Sequence, residues 1–90
     1  MNIDFNWITL SIEVIKLNLG ELKVGESFVV SFISATKDIK HKLNDFGITK
    51  GTIIKITGIS PLGDPYHVEL RGYRLAIEKA LLTQIKGEKV

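Results

Sequence analysis

The spacing of apolar residues changes along this chain from two to about 3.6 and back again, and those changes outline its elements. Ile8, Leu10, Ile12 and Val14 alternate with Thr9, Ser11 and Glu13, which reads as a half-buried strand. Phe5 and Trp7 lie on the opposite parity, so an amphipathic helix is the alternative there. A turn region with two glycines, Gly20 and Gly25, leads into Phe28–Ser34. In that run Phe28, Val30 and Phe32 point one way, and Val29, Ser31 and Ile33 the other. Its aromatic and β-branched content predicts a strand. From Thr36 the period lengthens: Ile39, Leu43 and Phe46 fall on one face of a helix. Thr36 is placed to cap it, Asp38 suits its positive end, and Gly47 sits where a left-handed residue would end it. Lys37, Lys40, His41 and Asn44 share the outer face.

The period then returns to two. Ile54 and Ile56 oppose Lys55 and Thr57. Ser60 to Pro65 holds two prolines and a glycine, so it is a loop. Tyr66, Val68 and Leu70 alternate with His67, Glu69 and Arg71. Gly72 marks a tight turn, and Tyr73, Leu75 and Ile77 alternate with Arg74, Ala76 and Glu78. Lys79–Thr83 reads as a short C-terminal helical turn, and Gln84–Lys86 as a short closing strand before a frayed tail. The prediction is a mainly β domain: about five short antiparallel strands and one inserted helix over about 36–46, closed into a small barrel that leaves few exposed edges.

Composition narrows the function classes. Ninety residues with 44% hydrophobic and 24% charged side chains make one small globular domain. Twelve basic and ten acidic residues leave a net charge of +2, and only two of the basic residues are arginine. That is a weak footprint for nucleic acid. Cysteine is absent, which removes disulfides, thiolate nucleophiles and zinc ribbons and favours the cytoplasm. The N-terminus lacks the pattern of a signal peptide, and no run approaches the roughly 20 apolar residues of a membrane-spanning helix. Membrane contact is therefore expected only through a partner.

The chemistry-bearing residues are few. There is no Gly-x-Ser-x-Gly elbow and no phosphate loop, and a barrel filled by its own side chains offers little room for a triad. The chain reads as non-enzymatic. His67 and Glu69 share the outward parity of one strand, with side chains roughly 7 Å apart. His41 lies on the outer helix face near Asp38 and Asp45. These are weak candidates for a metal ion, and the default for both histidines is a solvated surface position. No cofactor is expected. Leu62, between Pro61 and Pro65 and beside Gly63 and Asp64, is an apolar residue at a loop tip, a place suited to a partner. The alternative is a plain hairpin connection, with Gly63 at positive φ and Asp64 bonded to nearby backbone. Tyr66, Tyr73 and Arg74 complete the candidate partner-binding set. Both tyrosines sit on the apolar parity, which also suits the core or the barrel rim.

Three stretches together resemble a known family, ferrous iron transport protein A (FeoA): "LKVGESFVVSFIS", "KLNDFGITKGTIIKI" and "SPLGDPYHVELRGYRLAIEKALLTQIKG". The resemblance runs from Leu22 to Ile85. It implies an SH3-like barrel over 19–90, preceded by an N-terminal extension, 1–18, longer than such proteins usually carry and a candidate for an added strand. It further implies a cytoplasmic accessory of ferrous iron uptake whose partner is FeoB, a membrane permease with a G domain. The same SH3-like module ends iron-dependent repressors of the diphtheria-toxin-repressor type, so a regulatory module of a transcription factor or another enzyme is the alternative. The winged-helix and dimerisation regions of such repressors are not present in these 90 residues.

Overall fold

The structure, a computed structural model, describes residues 17–90. The strand expected over Ile8–Val14 lies outside the described residues. Six strands, β1 (Leu17–Asn18), β2 (Ser27–Ile33), β3 (Ile53–Ile59), β4 (Tyr66–Leu70), β5 (Tyr73–Ile77) and β6 (Ile85–Lys89), form one sheet in the order β1-β6-β2-β3-β4-β5. All pairings are antiparallel. A 3-10 turn (Leu19–Glu21) follows β1. Helix α1 (Lys37–Asp45) joins β2 to β3, and a single turn, α2 (Lys79–Leu82), joins β5 to β6.

Helix α1 forms where its caps require. Thr36 Oγ1 accepts a bond from the Ile39 N–H at 3.4 Å. At the other end Gly47 adopts φ +86°, its N–H reaches the Asn44 carbonyl, and the Ile48 N–H reaches the Leu43 carbonyl. Those two bonds are the Schellman arrangement, which satisfies carbonyls a helix end would leave unpaired. Of the apolar stripe only Leu43 is wholly buried; Ile39 and Phe46 are partly buried against the core.

The core gathers Phe28 and Val30 from β2, Ile54 and Ile56 from β3, Val68 and Leu70 from β4, Ile77 from β5 and Ile85 from β6. Leu19, Leu43 and Leu82 cover it from the turn and the helices. The hydrogen-bonded ladder is linear, with β1 and β5 as its ends. Curling brings those ends near each other: the Tyr66 hydroxyl, on β4, donates to the Gly20 carbonyl, just past β1, at 3.2 Å. β2 and β6 approach closely at Gly87. A Cβ on Gly87 would lie 2.0 Å from the Val29 carbonyl oxygen and 2.7 Å from Phe28 Cζ.

The mainly β antiparallel fold stands, and two details differ. β6 runs to Lys89 in place of a frayed tail. Paired with β2 along its length and with β1 at Lys86–Gly87, it is specified by backbone bonds more than by its own polar sequence. Phe32 does not follow Phe28 and Val30 inward. The register shifts between Val30 and Phe32, and Phe32 is 50% exposed. One extra residue reverses the facing of all that follow.

Glu26 ties the end of β6 to the turn before β2. Its carboxylate accepts from the Lys23 N–H at 2.7 Å and from Lys89 Nζ at 2.9 Å. The Lys23 N–H first, and the Lys89 ammonium second, hold the Glu26 carboxyl below its ordinary pKa. A depressed folded-state pKa contributes stability at neutral pH that is lost as pH falls through the carboxylate range. Glu26→Gln should therefore flatten the acid limb of a stability–pH curve and leave its alkaline limb unchanged, as urea titrations at stepped pH will show. Gly87→Ala should cost more than about 2 kcal/mol, because backbone and a core ring must move. A fall in the urea midpoint with an unchanged slope is the expected signature.

Candidate functional site

The β3–β4 connection, 60–65, is held at three points. The Ser60 N–H donates to the Pro65 carbonyl at 3.1 Å, and the Gly63 N–H to the Ser60 carbonyl at 2.7 Å. Gly63 has φ +87°, a conformation side chains disfavour, and the Asp64–Pro65 peptide is cis. Asp64 does not bond to its own loop. Its Oδ1 accepts from the Lys79 N–H at 3.0 Å, the first residue of α2, whose own cap position, Glu78, makes no side-chain bond. An otherwise unpaired helix donor thus anchors the loop from 15 residues away. Leu62 stands clear of all of this and is 96% exposed.

Tyr66 lies beneath the loop instead of beside Leu62 on the surface. Its ring is 6% exposed, and Lys79 Nζ sits 6.0 Å from its centroid. Tyr66 is therefore not a surface residue, and its hydroxyl is turned to the Gly20 carbonyl. Tyr73 and Arg74 lie at the other end of the β4–β5 hairpin, since Tyr66 pairs with Ile77 and Leu70 with Tyr73. Four residues of strand, about 13 Å at 3.3 Å each, separate the two ends. The sequence-derived candidates accordingly fall into two groups: Leu62, Gly63, Asp64 and Tyr66 at one end, Tyr73 and Arg74 at the other.

The distal end is organised by Arg71, a residue not singled out from the sequence. Arg71 (φ +47°) and Gly72 (φ +84°) make a two-residue turn with both central residues left-handed, as a tight hairpin requires. Arg71 Nε donates to the Gly47 carbonyl at 2.9 Å, and Nη2 to Thr49 Oγ1 and Thr52 Oγ1 at 3.1 and 2.9 Å. The buried Thr52 hydroxyl in turn donates to the Gly47 carbonyl at 3.1 Å. The Tyr73 hydroxyl donates to the Phe46 carbonyl. A guanidinium and a phenol from one hairpin thus clamp the end of α1. The guanidinium runs so close to Gly47 that a Cβ there would meet Arg71 Cδ at 3.0 Å.

The FeoA domain family matches residues 17–89. The chain belongs to the FeoA family. A FeoA-like protein from Clostridium acetobutylicum is 34% identical, with 81% of this chain and 85% of that one covered and a TM-score of 0.77. FeoA from Chlorobium tepidum is 29% identical over 80% of this chain and 70% of its own, with a TM-score of 0.73. FeoA from Stenotrophomonas maltophilia, solved with zinc and described as an SH3 domain protein, is 25% identical over 77% and 86%, with a TM-score of 0.67. The curled six-stranded sheet is thus the SH3-like FeoA fold.

FeoA proteins are implicated in ferrous iron transport and are non-enzymatic accessories. A groove of about 530 Å³ is lined by Thr57, Gly58, His67, Arg74, Leu75 and Ala76. Its hydroxyl, on Thr57, already donates to the His67 carbonyl, and the His67 ring faces Ser60 Oγ at 3.2 Å. As for iron, Glu69 is paired with Arg74 at 3.2 Å and has Lys55 opposite it on β3. Two cations flank the carboxylate that His67 would need as a co-ligand. His41 is exposed on α1. Among the described residues no three His, Cys, Asp or Glu side chains converge to hold a metal, and no helix is long and apolar enough to cross a membrane.

The Arg71 clamp gives a direct test. Arg71→Ala should cost about 1.5–3 kcal/mol, typical of bonds to a charged donor. Arg71→Lys should recover little, because an ammonium cannot fork to a carbonyl and two hydroxyls together. Chemical denaturation of both variants beside the parent checks this.

Proposed function

We propose that this FeoA chain is a cytoplasmic accessory of ferrous iron uptake that docks on a FeoB-type permease with a G domain. The tip of the 60–65 loop is the contact, and Leu62 is its anchor. One observation carries the reading: an almost fully exposed leucine stands on a loop closed by its own backbone bonds and tied to the body where Asp64 accepts from the Lys79 N–H. A pre-ordered apolar tip loses little entropy on docking. Gly63 and Asp64 shape the tip, and Tyr66 supports it from below. Tyr73 and Arg74 hold the far end of the hairpin. The C. tepidum and S. maltophilia relatives, both FeoA proteins, support the transport context. Both arginines are committed within the domain, Arg71 to α1 and Arg74 to Glu69, which argues against a nucleic-acid partner. The membrane is reached through the permease.

Leu62→Ala should leave the thermal midpoint of the isolated protein nearly unchanged, since a surface truncation moves stability by only about 0.5 kcal/mol. It should lower co-purification with the permease and ferrous iron uptake, because losing a buried anchor costs a complex about 2 kcal/mol or more. Retained association would place the docking surface elsewhere. Unfolding would make Leu62 part of the core.

A further inference from the structure

A second surface lies between β2, α1 and the turn into β3. The bulge after Val30 turns Phe32 out of the core, and Phe32 forms part of a groove of about 320 Å³ with Ser31, Ile33, Lys40, Asn44, Thr49 and Lys50. A bulge that takes an aromatic ring out of a core and aims it at solvent gives up burial and leaves an apolar surface uncovered. Phe32 is 50% exposed. The polar walls have one sign of charge. Lys40 and Lys50 are exposed and make no ion pair or hydrogen bond through their ammonium groups among the described residues. Lys86 is the cross-strand partner of Phe32. No Asp or Glu lines the groove.

We propose that this groove binds a short acidic peptide segment of a protein partner, with one apolar side chain packed on Phe32 and its carboxylates paired with Lys40 and Lys50. The charge decides the chemistry: uncommitted ammonium groups lining one groove with an aromatic ring complement an apolar residue flanked by Asp or Glu. The scale of the charge decides against a lipid surface: one ring with Lys40 and Lys50, on a chain of net charge +2, falls short of the roughly four to eight clustered basic residues that hold a segment to an anionic bilayer. The site is separate from the Leu62 tip and stands whether or not that loop binds the permease.

The test is a titration of the full ¹⁵N-labelled chain with a synthetic peptide, acetyl-EELFEE-amide, followed by NMR. The expected result is saturable shifts at the amides of Phe32, Ile33, Asn44 and Lys50, with none for the acetyl-KKLFKK-amide control. Lys50→Glu should weaken binding about tenfold, the scale of a close charge pair. Phe32→Ser should weaken it similarly, with the parent's spectrum kept elsewhere; if that variant unfolds, Lys50→Glu decides alone. Sedimentation with phosphatidylserine vesicles forms the second arm, and retention on them without peptide binding would overturn the proposal in favour of a lipid surface. Absent or non-saturating shifts, shifts centred on the 60–65 loop or on His67–Arg74, or equal binding of the lysine peptide would also overturn it.

Discussion

Phe28 packed on Gly87 is the contact on which the curled sheet depends. The ladder has two free ends, so backbone pairing alone would leave an open sheet. Close approach of β6 to β2 needs one position without a side chain, and Gly87 supplies it: a Cβ there would fall within 3 Å of both the ring and a carbonyl. With β6 drawn in, Ile85 and Leu82 reach the core, and Leu19 completes it from the turn after β1. Tyr66 can then donate to the Gly20 carbonyl, which bridges the two sides of the curl. The loop that carries Leu62 rests on that bridge and on the α2 N-terminus.

The two ends of the β4–β5 hairpin are fixed by different means. At the distal end, Arg71 and Tyr73 reach carbonyls at the end of α1 and hydroxyls beyond it. At the loop end, Asp64 reaches a helix donor. In each case a side chain satisfies backbone groups that a helix end leaves open, so a polar bond both completes a helix and positions a hairpin. The polar side chains of both ends are consequently committed, and Leu62 on the loop and Phe32 on β2 are among the large apolar side chains that stay exposed.

Period and punctuation carried the strands β2 to β5, helix α1 and its caps, because those depend on neighbours a few residues apart. The loop at 60–65 and the exposure of Leu62 were legible for the same reason. What escaped depends on distant residues. The bulge that exposes Phe32 is one residue long and is decided by how β6 and β3 flank β2, so alternation placed the ring inside. β6 is polar and draws its order from two neighbouring strands. Arg71 looked like an ordinary outward residue, since its partners lie 19 to 24 positions away. Tyr66 and Tyr73 share a parity, yet one is buried and the other 41% exposed, because β4 lies inside the sheet and β5 at its edge.

Nitrogen-15 relaxation across 60–65 measures directly whether Leu62 is presented on an ordered tip. Backbone order parameters of about 0.85 at Leu62, Gly63 and Asp64, equal to those of β3 and β4, are expected from the bonds at Ser60, Gly63 and Lys79. Values below about 0.6 at those residues would contradict a pre-ordered anchor.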